Sequence, residues 1–211
     1  MKIIKIVKHP RVLVLLVTAI VMLGCSDDND APPEENTPEV ITSVTLIFTP
    51  EGGGTAVTAT ALDSDGEGIQ ELMVDPRGIS LAPNTTYTLT YTILNTIPDT
   101  PENIGEEIAD EDDEHQFFYA FTDGAFASPL GDGNFGAANA ADPIYYNDED
   151  SDAQDGSGNP VGLVTTWTTG GPISGASFRA NLQHQPGVKT ATSTSEDGDT
   201  DFDLTFLLNI Q

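Results

Sequence analysis

The chain has 211 residues, with 34 Asp+Glu against seven Lys+Arg and a formal net charge of -27. So large a negative charge repels nucleic acid and anionic lipid headgroups, which sets nucleic-acid binding aside. The one Cys excludes an internal disulfide, the Cys-rich zinc sites and CxxC redox chemistry, so any folded domain must stand without covalent staples.

The charge is unevenly placed. Four of the seven basic residues (Lys2, Lys5, Lys8, Arg11) and none of the acids fall in the first 24 residues. A basic stretch to Arg11, an apolar run from Val12 to Leu23 and the small Gly24 are the three parts of a secretory signal. The apolar run is about twelve residues, short of the roughly 20 that a transmembrane helix needs. The tetrapeptide Met22-Leu23-Gly24-Cys25 resembles the lipobox of bacterial lipoproteins, with Met22 where Leu is commoner. That resemblance implies lipid attachment at Cys25: the thiol takes a diacylglycerol, the signal is cut before it, and the new amino group is acylated. Several acyl chains suit a stable anchor, since one chain alone binds a membrane only marginally. The alternative is an ordinary cleaved signal with an incidental Cys.

Next comes Ser26-Asp27-Asp28-Asn29-Asp30, which resembles the acidic export signal of Bacteroidota lipoproteins and implies the outer membrane, exposed at the cell surface, with the periplasmic face as the alternative. From Asp27 to Glu39 the chain is polar and Pro-rich without hydrophobic periodicity, the composition of a disordered tether. The expected organisation is a signal over 1–24, an acylated acidic tether over 25–39 and one domain over 40–211. Without the signal, 187 residues (211 less 24) keep three basic groups, Arg77, Arg179 and Lys189, against all 34 acids, a charge of -31. That length is enough for one domain with its own core.

From Val40 onward the dominant pattern is alternation with period two, which puts apolar side chains on one face of a strand. Val40 to Phe48 opens it, followed by Thr55 to Leu62. Tyr87, Leu89, Tyr91 and Ile93, interleaved with Thr86, Thr88, Thr90 and Thr92, predict a strand buried on one side with β-branched residues on its wet face. His115 to Thr122, Ile144 to Asn147, Val161 to Thr169, Ala176 to Gln185 and the closing run through Phe202, Leu204, Phe206, Leu208 and Ile210 complete seven or eight strands. Gly-, Pro- and Asn-rich turns separate them. The expected fold is an all-β, antiparallel, immunoglobulin-like sandwich. One segment departs from it: Thr100 as cap and Pro101 at the first position predict a short helix with Ile104 and Ile108 on one face, fraying by Asp112.

Two acidic clusters, Asp63-Ser64-Asp65-Gly66 and Asp148-Glu149-Asp150-Ser151-Asp152, raise calcium, which takes six to eight hard oxygen ligands. The second has DxDxD spacing, but Ala153 stands where the EF-hand loop needs Gly and Asn159 where it needs a bidentate Glu, so solvated turns are expected. Beyond the signal the only histidines are His115 and His184, both in inward sets of predicted strands. The expectation is two unpaired core or strand-end histidines; a transition-metal site using both with a nearby carboxylate is the alternative. No Ser lies in GxSxG and no second Cys is present. Trp167, flanked by Thr residues on a predicted strand, is expected to pack in the core. No catalytic residue, cofactor or metal ligand set is assigned.

Four stretches resemble an uncharacterised group of small Bacteroidota surface lipoproteins: Glu114-His115-Gln116-Phe117-Phe118, Gly158 to Leu163, Leu182 to Lys189, and Asp199-Thr200-Asp201-Phe202-Asp203. Together with the N-terminal layout the likeness covers most of the chain. Some members are labelled type 1 periplasmic binding fold, which requires βαβ alternation in two lobes, whereas the strands here are amphipathic and helices nearly absent. The resemblance implies location and architecture, with no reaction and no active-site residues. The functional expectation is a non-enzymatic outer-membrane lipoprotein, held to the bilayer through acylated Cys25, whose sandwich binds an envelope protein or other surface macromolecule. A calcium, transition-metal or small-ligand binder is the alternative.

Overall fold

The computed structural model describes residues 39–63, 72–136, 144–148 and 160–211. Cys25, the signal and tether to residue 38, Ser64 to Gly66 of the first acidic cluster and Glu149 to Asp152 of the second lie outside the described residues. The compact unit to which the described residues belong runs Asn36–Gln211.

Its strands are β1 (Ser43–Pro50), β2 (Val57–Leu62), β3 (Met73–Val74), β4 (Ile79–Leu81), β5 (Thr86–Leu94), β6 (His115–Phe121), β7 (Phe126–Ser128), β8 (Tyr145–Tyr146), β9 (Val164–Thr169), β10 (Ile173–His184) and β11 (Asp199–Ile210), with one helix, α1 (Ile104–Asp110), between β5 and β6. They form two sheets. One has the order β3-β2-β1-β5-β9-β7, with β8 also on β9; the other has the order β4-β11-β10-β6. All pairs are antiparallel except β4 with β11.

The sandwich closes because each sheet turns an apolar face inward. Phe48 of β1 meets Phe178 of β10 edge to face, with ring centroids 5.6 Å apart. Trp167 of β9 lies 5.0 Å from Phe178, 5.1 Å from Tyr119 and 5.5 Å from Phe121. Edge-to-face pairs of this kind add about 0.5–1.5 kcal/mol each beyond the area they bury. On the wet side of β5 the threonines pair across strands, as in Thr86 with Thr168, 2.9 Å between hydroxyls.

Every strand read from the periodicity is present. The additional β3, β4 and β7 have two or three residues each, too short to show a period. β6 departs from alternation, since Gln116 and Phe118 are buried as well as His115, Phe117 and Tyr119. Its second face is covered by 129–136: Asn134 and Phe135 both donate backbone N–H to the Tyr119 carbonyl.

The helix starts later than its sequence predicts. Asn95 and Glu102 exchange two backbone hydrogen bonds, and the Asn95 amide donates to the Glu102 carboxylate at 2.8 Å. That bridge holds the chain extended through Glu102, so Thr100 and Pro101 cannot open the helix, and Asn103 takes the cap position without a side-chain bond. Ile104 and Ile108 are both buried, as their spacing requires.

Candidate functional site

The last rung of the β6–β10 ladder pairs His115 with His184. Period two sends both rings to the inner face, and direct opposition brings them together: centroids 4.5 Å apart, planes 3° from parallel. Their side chains are 0% and 6% exposed. The expectation of two unpaired histidines is therefore corrected. Each lies in an inward set as read, but the strand register, which the sequence does not display, stacks one on the other.

Carboxyls surround the pair, brought from three parts of the chain: the segment before β1, the turn between α1 and β6, and β11. Glu39, just before β1, places Oε1 3.1 Å from His115 Nε2. Glu111, at the C-terminal end of α1, brings its carbonyl to 3.3 Å and Oε2 to 3.7 Å from His115 Nδ1. Glu114 sets Oε2 3.3 Å from His184 Nε2. Asp201 stands with Oδ2 3.6 Å from His115 Nε2.

Asp201 arrives by a backbone irregularity. Alternation along β11 turns Phe202, Leu204 and Phe206 inward and should turn Asp201 out. The register with β10 shifts between Leu182–Phe202 and Gln183–Thr200, leaving Asp201 as the extra residue of a bulge. Asp201 and Phe202 are both buried in consequence. Bulges characteristically re-aim a side chain in this way.

Two further features hold the frame. Buried Lys189 donates its ammonium to the carbonyls of Asp112 and His115, countering the negative helix end and the acids crowded there. Gly198 lies against the backbone at His184: a Cβ there would stand 2.1 Å from the His184 carbonyl oxygen, and its φ of +81° is in the left-handed region.

The electrostatics follow from crowding acids in a buried place. Burial, the hydrogen bond with Glu39 and the Glu39 charge push the Asp201 carboxyl up, to about 9. Burial also works to raise Glu39, but hydrogen bonds from His115 and Asp201 outweigh it and hold that carboxyl at about 2. The pair thus shares one proton, carried by Asp201 and donated to Glu39. As an ionised carboxylate, Asp201 would have no donor on either oxygen. Glu111 is raised by burial and by the charges of Glu39 and Glu114, with His115 opposing.

Glu39, Glu111, His115 and His184 each offer a ligand atom, and the four atoms lie within 4.8 Å of one another. Two imidazole nitrogens and two carboxylate oxygens are a donor set able to hold a divalent cation. Among the described residues both imidazoles face carboxylates or backbone rather than a hydroxyl or thiol, so neither is placed to activate a nucleophile.

Of the two acidic clusters, the described Asp63 and Asp148 are not among the four residues that offer ligand atoms here. Asp148 turns inward, one oxygen accepting the N–H groups of Gly162 and Val164 at 2.9 and 3.2 Å, and burial raises its carboxyl. A second buried polar group, the Tyr91 hydroxyl donating to Tyr119 and Tyr119 to the Gly162 carbonyl, is internally satisfied and ties the two sheets to the 160–163 segment.

The sequence pointed to His115 and His184 through strand periodicity. It did not point to Glu39, placed with the tether, to Glu111 and Glu114, placed in a fraying helix end, or to Asp201, hidden by the bulge. No family model matches the chain, and neither a curated protein nor a solved structure matches it.

Proposed function

We propose that this chain is a lipid-anchored outer-membrane protein whose sandwich is a non-catalytic binding domain, with its binding centre at the His115–His184 cluster. The observation that carries the anchor is the order of residues 1–25, basic, apolar, small and then the sole Cys, followed at once by an acidic linker. A lipid at Cys25 would replace a membrane span, and the run from Asp27 up to the domain that begins near Asn36 would serve as tether. The acidic Asp27-Asp28-Asn29-Asp30 run favours outward display, in keeping with the resemblance to Bacteroidota surface lipoproteins.

The binding role is supported by the cost of the cluster. Two imidazoles and four carboxyls gathered in and around one end of an apolar sandwich weaken the fold through desolvation and like-charge repulsion. Perturbed groups collected in one place are the common mark of a site kept for a ligand.

Growing the source cells with an alkyne fatty acid tests the anchor. The wild-type chain should carry the label and fractionate with membranes, and Cys25→Ser should lose both. An unlabelled, soluble wild-type chain would contradict the anchor. External protease on intact cells then separates surface display from the periplasmic face.

A further inference from the structure

We propose that His115, His184, Glu39 and Glu111 form a mononuclear site for a divalent transition cation of the zinc class, with Glu114 as its supporting carboxylate and the Asp201 carboxyl beside Glu39. This deepens the binding reading of the same cluster and rests on it.

Proton placement is the first argument. His184 Nε2 faces the Glu114 carboxylate at 3.3 Å, so in the neutral ring Nε2 carries the hydrogen and donates it. Nδ1 is then a bare lone pair, and it has no hydrogen-bond partner among the described residues although the side chain is only 6% exposed. An unmet acceptor in the interior costs about 1–3 kcal/mol. A carboxylate holding one imidazole N–H while the other nitrogen binds a metal is the arrangement that fixes ligand histidines in metalloproteins.

His115 makes the same point from the other side. Acceptors flank both its nitrogens: the Glu39 carboxylate at Nε2, and the Glu111 carbonyl and carboxylate at Nδ1. The imidazolium, with two hydrogens, answers both acceptors, whereas a neutral ring leaves one nitrogen lone pair facing an oxygen lone pair. A cation between them turns that repulsion into two bonds.

The dimensions fit. Zinc with bonds of about 2.0–2.1 Å in a tetrahedron has ligand–ligand edges of roughly 3.3–3.4 Å. From His115 Nε2 the Glu39 oxygen is 3.1 Å away, close to such an edge, whereas Glu111 stands 3.7 Å from the other nitrogen, Nδ1, and must swing toward an ion held at Nε2. The widest of the four-atom separations, 4.8 Å at most, must contract by roughly 1.5 Å to reach such an edge. Glu111 can supply much of that movement, because its side chain is 51% exposed, and the same exposure gives the ion a way in.

The donor set also selects the class. Calcium and magnesium take oxygen ligands, so two imidazoles speak against them, and a four-donor set of nitrogen and oxygen alone speaks against a soft monovalent ion. Charge agrees: Glu39, Glu111 and Glu114 stand against one ammonium, Lys189, which is turned to carbonyls. A divalent ion offsets the excess.

The test is a zinc titration of the full chain in detergent after EDTA treatment, followed by calorimetry in excess magnesium so that weak binding to the acidic surface is suppressed. The expected result is one equivalent per chain and a higher melting temperature. His184→Asn and Glu39→Gln should each weaken binding at least tenfold, and Glu114→Gln by about 10-fold or more with the stoichiometry kept. Glu51→Gln, an exposed acid outside the cluster, should change nothing. If the buried variants fail to fold, Glu111→Gln at the half-exposed ligand carries the test. Cobalt in place of zinc should give the intense visible absorption of a tetrahedral ion, lost in the same variants. No saturable zinc binding, or binding indifferent to these substitutions, would overturn the site. Because the anchor is read by acyl labelling, a labelled protein that ignores zinc overturns only this inference, and an unlabelled protein that binds zinc overturns only the anchor.

Discussion

His115 and His184 are stacked with parallel rings 4.5 Å apart, yet their nearest carboxylates are different ones, Glu39 for the first and Glu114 for the second. The stacking comes from strand register and the separate partners from separate chain segments. Either ring is therefore held in place without the other's carboxylate.

This arrangement predicts how the two positions couple. In EDTA, urea denaturation of His115→Asn, His184→Asn and the double variant should give an interaction energy of about 1 kcal/mol, the scale of neighbouring aromatic pairs. With zinc present, either single substitution should remove most of the metal-dependent stabilisation, so the double variant loses little more than one single. Additive losses of metal stabilisation would mean the two rings do not share an ion.

Asp201 sets the pH dependence of the metal-free protein. Folded, its carboxyl keeps its proton up to about 9, whereas in the unfolded chain it loses it near the usual ~3.9. The folded state binds more protons across that window, so stability should fall as pH rises from about 5 to 9. Glu39 acts oppositely: held at about 2, it contributes stability that is present above the ordinary carboxylate range and lost as pH falls toward 2. Asp201→Asn, whose amide can donate to Glu39 as the protonated acid does, should flatten the upper slope and raise the melting temperature at pH 8. An unchanged slope in thermal melts across this range would disprove the shared proton.

Gly198 and Gly175 offer a matched comparison. Both have positive φ, +81° and +72°. At Gly175 nothing lies within 4 Å of an added Cβ, so Gly175→Ala should cost about 1 kcal/mol of backbone strain. At Gly198 the methyl would meet the His184 carbonyl at 2.1 Å, and neither partner is a flexible side chain. Gly198→Ala should cost at least ~2–3 kcal/mol by denaturation and displace His184, lowering zinc affinity as well. Equal effects of the two substitutions would contradict the close approach.

Trp167 and Arg179 separate core from surface energetics. Trp167 is fully buried among Tyr119, Phe121, Phe126 and Phe178, and its indole N–H donates to Thr165 at 2.7 Å. Trp167→Ala should cost about 3–5 kcal/mol, a large share of the roughly 5–15 kcal/mol that holds a domain together. Arg179 pairs with Asp203 and lies over the Phe135 ring at 3.6 Å, but both ionic partners are about a third exposed. Arg179→Ala should cost no more than about 1 kcal/mol. Chemical denaturation ranks them, and a larger loss at Arg179 would contradict the core described above.

Much of the fold was legible because half-buried strands write their inner face at every second residue. Tyr87, Leu89 and Ile93 are buried with threonines between them, as the period requires. What escaped was set by partners distant in sequence. β3, β4 and β7 exist by pairing rather than by pattern. The helix start was moved by the Asn95–Glu102 bridge. The cluster was half legible: His115 and His184 carried an inward address, while Glu39, Glu111, Glu114 and Asp201 were indistinguishable from the other acids of a chain that has 34. Only the β6–β10 register and the β11 bulge single them out.

The most direct test of the metal centre is X-ray diffraction from zinc-loaded crystals at energies above and below the zinc absorption edge. The expected result is one anomalous peak within about 2.0–2.2 Å of an imidazole nitrogen from each of His115 and His184 and of a carboxylate oxygen from Glu39 and from Glu111. A peak only on the exposed acids, or none at the two imidazole nitrogens, would contradict it.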